Sequence, residues 1–381
     1  MVGPLTGCTV IELAGIGPGP FAGMILADMG ADVIRIDRPG GSGFYAGQEH
    51  LDILNRGKRS LLLDLKQPEA VDVVLTLVGK ADALIEGYRP GVAERLGVGP
   101  EACLQRNPRL VYGRITGWGQ DGMLALTSGH DINYISLTGA LHAIGTQDGP
   151  PQIPLNLVGD FGGGGAYLAI GVLAALRDAD RTGEGQVVDA AIVDGVSHLL
   201  ASTHMAMAAG AWEDERGRNL LDGGAPFYGV YETSDGKYMA VGALEPKFYA
   251  ELLAKLGLDE PLDHQNNQHT WPHLRKRLVE IFLTKSQQEW TDHFAGSDAC
   301  VSPALSLKDA PHHPHVAGRG SLVEVGGVLQ AAPAPRFSKA PSSVQWPPPR
   351  PGEHSAQILA DFGFANATDL FNSGVAVGPC D

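Results

Sequence analysis

The hydrophobic pattern changes period repeatedly along the first third of the chain. Cys8–Leu13 is a short apolar run rich in β-branched residues, which predicts a strand. Gly15–Pro20 (GIGPGP) breaks it, Phe21–Ala31 has apolar residues at helical spacing, and Asp32–Asp37 alternates again. That is a βαβ unit of a parallel sheet. The rhythm continues with a strand at Ser60–Leu65, a helix at Pro68–Gly79, a strand at Ala83–Ile85, a helix starting in Pro90–Leu96 and a strand at Leu110–Ile115. This alternation predicts a doubly wound α/β domain over roughly the first half of the chain.

The pattern then shifts. Phe161–Arg177 reads as an apolar helix opened by glycines, Arg181–Glu184 as a polar turn and Gln186–Asp189 as a short strand. Ala190–Trp212 reads as one long helix rich in Ala and Met, ended by the charged run Glu213–Gly217. Val230–Glu232 and Tyr238–Gly242 form a hairpin around Ser234-Asp235-Gly236, and amphipathic helices follow near 247–257, 272–284 and 286–295. Gln330–Arg350 is rich in Pro, Ser and Ala and reads as an extended segment able to wrap back over the first domain. His354–Phe362 reads as a last short helix.

Composition narrows the function. With 381 residues, two domains are the prior, and 44% apolar against 19% charged residues excludes wholesale disorder. Acids outnumber Lys plus Arg by 43 to 28, a net charge of −15, which argues against nucleic acid and against an anionic membrane surface. The uncharged stretches, such as Phe161–Leu176, are too short or too rich in Gly to span a bilayer. Cys8, Cys103, Cys300 and Cys380 lie far apart and read as reduced thiols. The N-terminus has no basic and apolar leader pattern, so the expected location is cytoplasmic.

Four features carry candidate chemistry. Gly17-Pro18-Gly19-Pro20-Phe21-Ala22 fits a dinucleotide fingerprint, with Asp37 ending the next strand. Physics counts against it, because that loop must offer N–H groups to a pyrophosphate and Pro18 and Pro20 have none. A set of cations, Arg38, Arg56, Lys58, Arg59, Arg89 and Arg95, is compatible with an anchor for a phosphorylated adenosine tail, although any one Arg is more simply a solvated surface charge. His130, in Gly129-His130-Asp131-Ile132-Asn133-Tyr134, stands at the edge of a helix start, where it could act as a base or be merely structural. Asp160 precedes the glycines Gly162–Gly165, which cost about 0.5–1 kcal/mol each in a helix. Their N–H groups could stabilise an oxyanion; equally, Asp160 could be an N-cap and the glycines a close helix contact. The triplet His312-His313-Pro314-His315 lacks metal-ligand spacing and reads as a surface loop.

Eight segments taken together resemble the family III CoA-transferase superfamily, most closely its α-methylacyl-CoA racemase branch. They include residues 12–39, RGKRSLLLDLK (56–66), LIEGYRPGV (84–92), GHDINYISLTG (129–139), PLNLVGDFGGGG (154–165), GQVVDAAIVDG (185–195), LDGGAPFY (221–228) and VGALEPKFY (241–249), in family order. The resemblance implies a Rossmann-like large domain (1–200), a linker helix region (201–224), a smaller α+β domain (225–320) and a C-terminal segment (321–381) returning to the large domain. It also implies an interlocked homodimer. His130 and Asp160 match the two acid/base residues, and Glu245 matches a small-domain acid that supports the histidine. Arg38, Leu63, Asp64, Leu65, Lys66, Gly87, Tyr88, Arg89, Pro90, Gly91, Arg95, Gly129, Asp131, Ile132, Asn133 and Tyr134 match segments that hold CoA.

The implied reaction is epimerisation of a 2-methylacyl-CoA. One group removes the α-proton of the thioester, and a second on the opposite face returns it. No metal or other cofactor is implied, because CoA is part of the substrate. The alternative within the superfamily is CoA transfer, with Asp160 as a nucleophile forming an anhydride. A catalytically silent CoA-binding protein and a dinucleotide oxidoreductase stand lower. The acyl chain is left open; Met205 and Met207 fit an adaptable acyl surface or an ordinary packing face equally well.

Overall fold

Parallel strands buried on both faces are written as near-continuous apolar runs, and the large sheet has this character. In the computed structural model, which describes residues 3–40 and 47–379, the elements β1 (Thr9–Leu13), α1 (Pro18–Asp28), β2 (Asp32–Asp37) and β3 (Lys58–Leu63) follow in order. Then come α2 (Pro68–Val78), β4 (Ala83–Glu86), α3 (Val92–Arg95), α4 (Pro100–Arg106) and β5 (Val111–Thr116). Cys380 lies outside the described residues. Val10 pairs with Val33 on one side and Ala83 on the other, and all three are fully buried.

After β5 the chain runs through α5 (Asp131–Leu137), α6 (Ala140–Ala143), a π-helix (Leu157–Gly165), α7 (Ala166–Thr182), β6 (Gln186–Ala191), α8 (Ile192–Leu199) and α9 (Ala201–Ala208). The expected single helix at 190–212 is therefore a strand end and two helices. The expected helix at 161–177 is longer at both ends, because the π-helix runs directly into α7. This continuous stretch, Leu157–Thr182, is long and apolar enough to cross a membrane by length and composition. Here it packs against α1, β5, β6 and α8.

Beyond α9 lie β7 (Tyr228–Glu232), β8 (Tyr238–Gly242), α10 (Pro246–Leu256), α11 (Trp271–Phe282), α12 (Gln287–Phe294), β9 (Val301–Ala304) and α13 (Pro314–Arg319). The chain closes with β10 (Leu322–Val325), β11 (Val328–Ala331), α14 (Ser355–Asp361), α15 (Ala367–Asn372) and β12 (Ala376–Val377).

Two compact units result. One comprises Met1–Thr138, Leu155–Leu199 and Gly320–Asp381; the other comprises Gly139–Pro154 and Leu200–Arg319. The first contains a seven-stranded sheet in the order β12-β3-β2-β1-β4-β5-β6, parallel except for β12. Setting β12 aside, this is the Rossmann order, with its topological switch between β1 and β4. The C-terminal segment belongs to this unit: Trp346 donates its Nε1–H to the Lys58 carbonyl at 2.9 Å, and the Ser355 hydroxyl accepts the Leu62 N–H at 3.2 Å. Ile358, Leu359 and Leu370 share a core with Leu61, Leu63 and Val74.

The second unit has an antiparallel sheet β7-β8-β9 packed on α10–α12 through an aromatic core of Phe227, Tyr231, Tyr249, Phe282, Trp290 and Phe294. β9 was not visible in the pattern because Pro303 lies within it, and Pro is tolerated only on a sheet edge. The β10–β11 hairpin was also missed. Its two-residue loop, Gly326-Gly327, has φ of 59° and 78°, as a type I′ turn demands.

Candidate active site

Ligands of open α/β sheets bind outside the carboxyl ends of the strands, at the switch point. A cavity of about 690 Å³ occurs there. Its walls come from the residues after β1 (Gly15–Pro20), from the ends of β4 (Glu86, Gly87) and β5 (Thr116, Gly117), and from His130, Tyr134, Asn156, Asp160 and Phe161. Two of the acid/base candidates chosen from sequence, His130 and Asp160, thus line one cavity. Pro18 and Pro20 open α1 at its wall, which removes N–H groups where a pyrophosphate would need them.

His130 is the N-cap of α5, in extended conformation, and its own N–H donates to Asn133 Oδ1 at 3.1 Å. Tyr134 donates its hydroxyl to the Gly129 carbonyl and packs edge-on against Trp118, with ring centroids 4.8 Å apart. These contacts fix the segment on both sides of His130.

Asp160 is carried differently. It lies inside the π-helix, so it is not an N-cap. Leu155, just before this helix, is held in the left-handed region at φ 58°. π-turns of this kind recur at functional sites because they re-aim side chains off the regular helical face. Gly17 (φ 71°) lets the β1–α1 turn approach, since a Cβ there would lie 3.3 Å from Asp160 Oδ2. Burial pushes the Asp160 carboxyl above its ordinary range, and the charge of Asp131 adds to this. A hydrogen bond from the Asn156 side chain and the nearby His130 pull the other way. Asn156 stands one turn before Asp160, and only this spacing hinted at its part.

The glycine run has the packing role, not the oxyanion role. Gly163 faces Val196, where a Cβ would lie 2.8 Å from the backbone nitrogen, and Gly165 faces Pro18 O, where a Cβ would lie 2.6 Å away. Gly162–Gly165 lie within one continuous helix, whose geometry directs their N–H groups to carbonyls of the preceding turn.

The cation set divides. Arg56, Lys58 and Arg59 are buried ion-pair partners of Asp28, Glu12 and Asp32 respectively, so they are structural rather than a phosphate anchor. Arg38, Lys66, Arg89 and Arg95 remain exposed. Arg38 follows β2, Asp64–Lys66 follow β3, and Arg89 stands in the turn after β4, where it donates to Ser128 Oγ at 2.8 Å. The side chain of Leu63 belongs to the core, and that of Leu65, half-buried, packs against it. Tyr88 is half-buried and Arg38 acts electrostatically on its hydroxyl. Ile132 and Asn133 are exposed on α5.

The turn Gly87-Tyr88-Arg89-Pro90-Gly91 is clamped at both ends by Arg114. Its Nε donates to Glu86 Oε1 at 2.8 Å and its Nη1 to Glu94 Oε1 at 2.8 Å, while Glu86 Oε2 accepts the Tyr88 N–H at 2.6 Å. Nothing in the sequence singled out Arg114 or Glu86, which are ordinary strand residues until the sheet aligns them.

Glu245 lies in the second unit, exposed, as the N-cap residue of α10. Among the described residues no group of three or more His, Cys, Asp or Glu is placed to hold a metal ion.

Comparison with known proteins places this geometry in context. The model for CoA-transferase family III matches residues 5–355. The chain is 45% identical to mouse (Mus musculus) alpha-methylacyl-CoA racemase, over 95% of this chain and 94% of that one. It is 30% identical to human (Homo sapiens) succinyl-CoA:glutarate CoA-transferase, over 94% and 86%. Among solved structures, a CAIB/BAIF family protein from Brucella suis superposes with a TM-score of 0.82 at 28% identity, covering 95% of this chain and all of the other. By a family match over most of its length and by relatives well above 30% identity, this chain belongs to CoA-transferase family III.

Proposed function

We propose that the protein interconverts (2R)- and (2S)-2-methylacyl-CoA thioesters by removing the α-proton on one face and returning one on the other. The observation that carries this is the pairing of an imidazole and a carboxyl, His130 and Asp160, on the walls of one cavity. The 45% identity to a racemase, against 30% to a transferase, favours this reading over CoA transfer.

The chemistry follows from the thioester. Its α-proton is acidic because the carbanion delocalises into the carbonyl as an enolate, so the reaction needs two proton-transfer groups and no further cofactor. With one epimer, neutral His130 takes the proton and protonated Asp160 supplies one to the opposite face. With the other epimer the roles reverse. A carboxyl whose proton is held above the usual range suits the donor role. The exposed cations Arg38, Lys66, Arg89 and Arg95, near the strand ends, are proposed to hold the phosphorylated arm of CoA. Glu245 is proposed to support the histidine within an interlocked homodimer; the exposed Leu137, Ile153, Ile170, Leu199 and Met205 are suited to such an interface.

The test is incubation in D₂O with a single epimer of a 2-methylacyl-CoA and no acceptor acid. Deuterium uptake at the α-carbon with drift toward a mixture, lost in His130→Ala and Asp160→Ala, is expected. Absence of exchange, with acyl-CoA formed once a free carboxylate is added, would overturn the reading and make Asp160 a transferase nucleophile.

A further inference from the structure

Asp131 was matched from sequence to a CoA-holding segment, but its surroundings point elsewhere. It is 8% exposed, so its carboxylate is not offered to a ligand of CoA's size. Its Oδ2 accepts the Asp160 N–H at 2.6 Å, and the Gly159 N–H beside it also stabilises the charged carboxylate. Its Oδ1 is buried with no hydrogen-bond partner, so the two N–H groups are the polar contacts that hold this carboxylate. The fit is close: a Cβ at Gly159 would collide with Asp131 Oδ2. A carboxylate accepting an N–H makes a charge-assisted bond, stronger than a neutral one. Asp131 is also the residue directly after His130. One side chain therefore ties the backbone that carries one base to the backbone that carries the other.

We propose that Asp131 is a positioning residue that sets the place of the Asp160 carboxyl relative to His130, across the reacting α-carbon. The proposal rests on the racemase reading above and assigns the residue a part in that same site. His130 has its own anchor, the Asn133 side chain, so loss of Asp131 releases the Asp160 side of the pair first.

The consequence is an asymmetry between epimers. In the wild-type protein each epimer exchanges its α-hydrogen with solvent through the base it faces. In Asp131→Ala, exchange from the epimer facing Asp160 is expected to fall about tenfold or more, since misplacing a reacting group by about 1 Å can cost about 100-fold. Exchange from the epimer facing His130 should continue within about threefold and increasingly with retention, because the return from the opposite face is what is lost. Gly159→Ala, which crowds the same carboxylate without changing any titratable group, should give the same asymmetry. Asp131→Asn keeps an acceptor of the same shape and should retain more exchange than Asp131→Ala; it is also the variant to read if the alanine variant does not fold.

Both epimers are assayed in D₂O for α-deuterium and configuration, with wild-type protein alongside. Equal loss for both epimers, or no loss, overturns the positioning role while leaving the racemase reading intact. A wild-type protein that exchanges neither epimer overturns both.

Discussion

The buried pair Lys58–Glu12 allows a sharp test of how the sheet beside the cavity is held. Lys58 Nζ lies 2.7 Å from Glu12 Oε2, with the side chains 0% and 1% exposed. It also donates to the Pro20 carbonyl and to Asn55 Oδ1, both at 3.0 Å. Burial raises the Glu12 carboxyl, and the Lys58 charge is the main influence pulling it back down. Lys58→Met removes that influence and leaves a buried carboxylate without its ion-pair partner, which typically costs about 3–5 kcal/mol. At roughly 2–4 °C per kcal/mol for a unit of this size, the first unit's melting temperature should fall by about 6–20 °C.

The sign with pH is fixed. A carboxyl whose folded pKa lies above its unfolded value makes the folded state bind the extra proton, so stability falls as pH rises between the two values. The deficit of Lys58→Met should therefore be larger at pH 8 than at pH 5. Adding Glu12→Leu should recover most of the loss and remove the pH dependence, leaving a remainder because Pro20 O and Asn55 Oδ1 lose their donor. Calorimetry of the two variants at both pH values is the assay. A Lys58→Met deficit below about 1 kcal/mol, or one unchanged between pH 5 and 8, would refute the reasoning.

Four further outcomes follow from the geometry. Arg114→Lys keeps the charge but loses the fork that joins Glu86 to Glu94, so the KM for an acyl-CoA should rise about tenfold while kcat stays within about threefold; steady-state kinetics decides, and a change in kcat alone would contradict it. Gly195→Ala places a methyl against the Gly163 carbonyl and should cost about 1–3 kcal/mol of stability together with epimerisation rate, because the displaced helix carries Asp160. In the direction where Asp160 is the acid, the rate should fall with rising pH through a pKa above the ordinary aspartate range, with Asp131, His130 and Tyr134 as the groups around it. Asn156→Ala removes a hydrogen bond that favours the charged form, so this limb should move to still higher pH; pH–rate profiles showing a downward move would count against the assignment.

Much of the first unit was legible because its signals are local. The period change at Asp32–Asp37 marks β2 to the residue, and the helix at Pro68 starts where a first-turn proline fits. The β1–α1 boundary was placed late, at Phe21 rather than Pro18, because prolines that read as breakers are also good first-turn residues. β9 and the second hairpin were missed because an edge-strand proline and a Gly-Gly turn carry no apolar period.

The candidate site divides in the same way. Residue type and neighbourhood alone singled out His130, Asp160 and the exposed Arg38 and Arg89. Only the folded chain could separate these cations from Arg56, Lys58 and Arg59, since pairing with Asp28, Glu12 and Asp32 depends on strands and helices distant in sequence. It likewise decided that the glycine run packs rather than donates, that Asp160 rides on a π-helix, that Asp131 bonds the Asp160 N–H, and that Arg114 joins Glu86 to Glu94. Hydrophobic period and turn chemistry are properties of neighbouring residues. Burial, charge pairing and the distance between two bases are properties of segments brought together, and these exist only once the sheet has set their register.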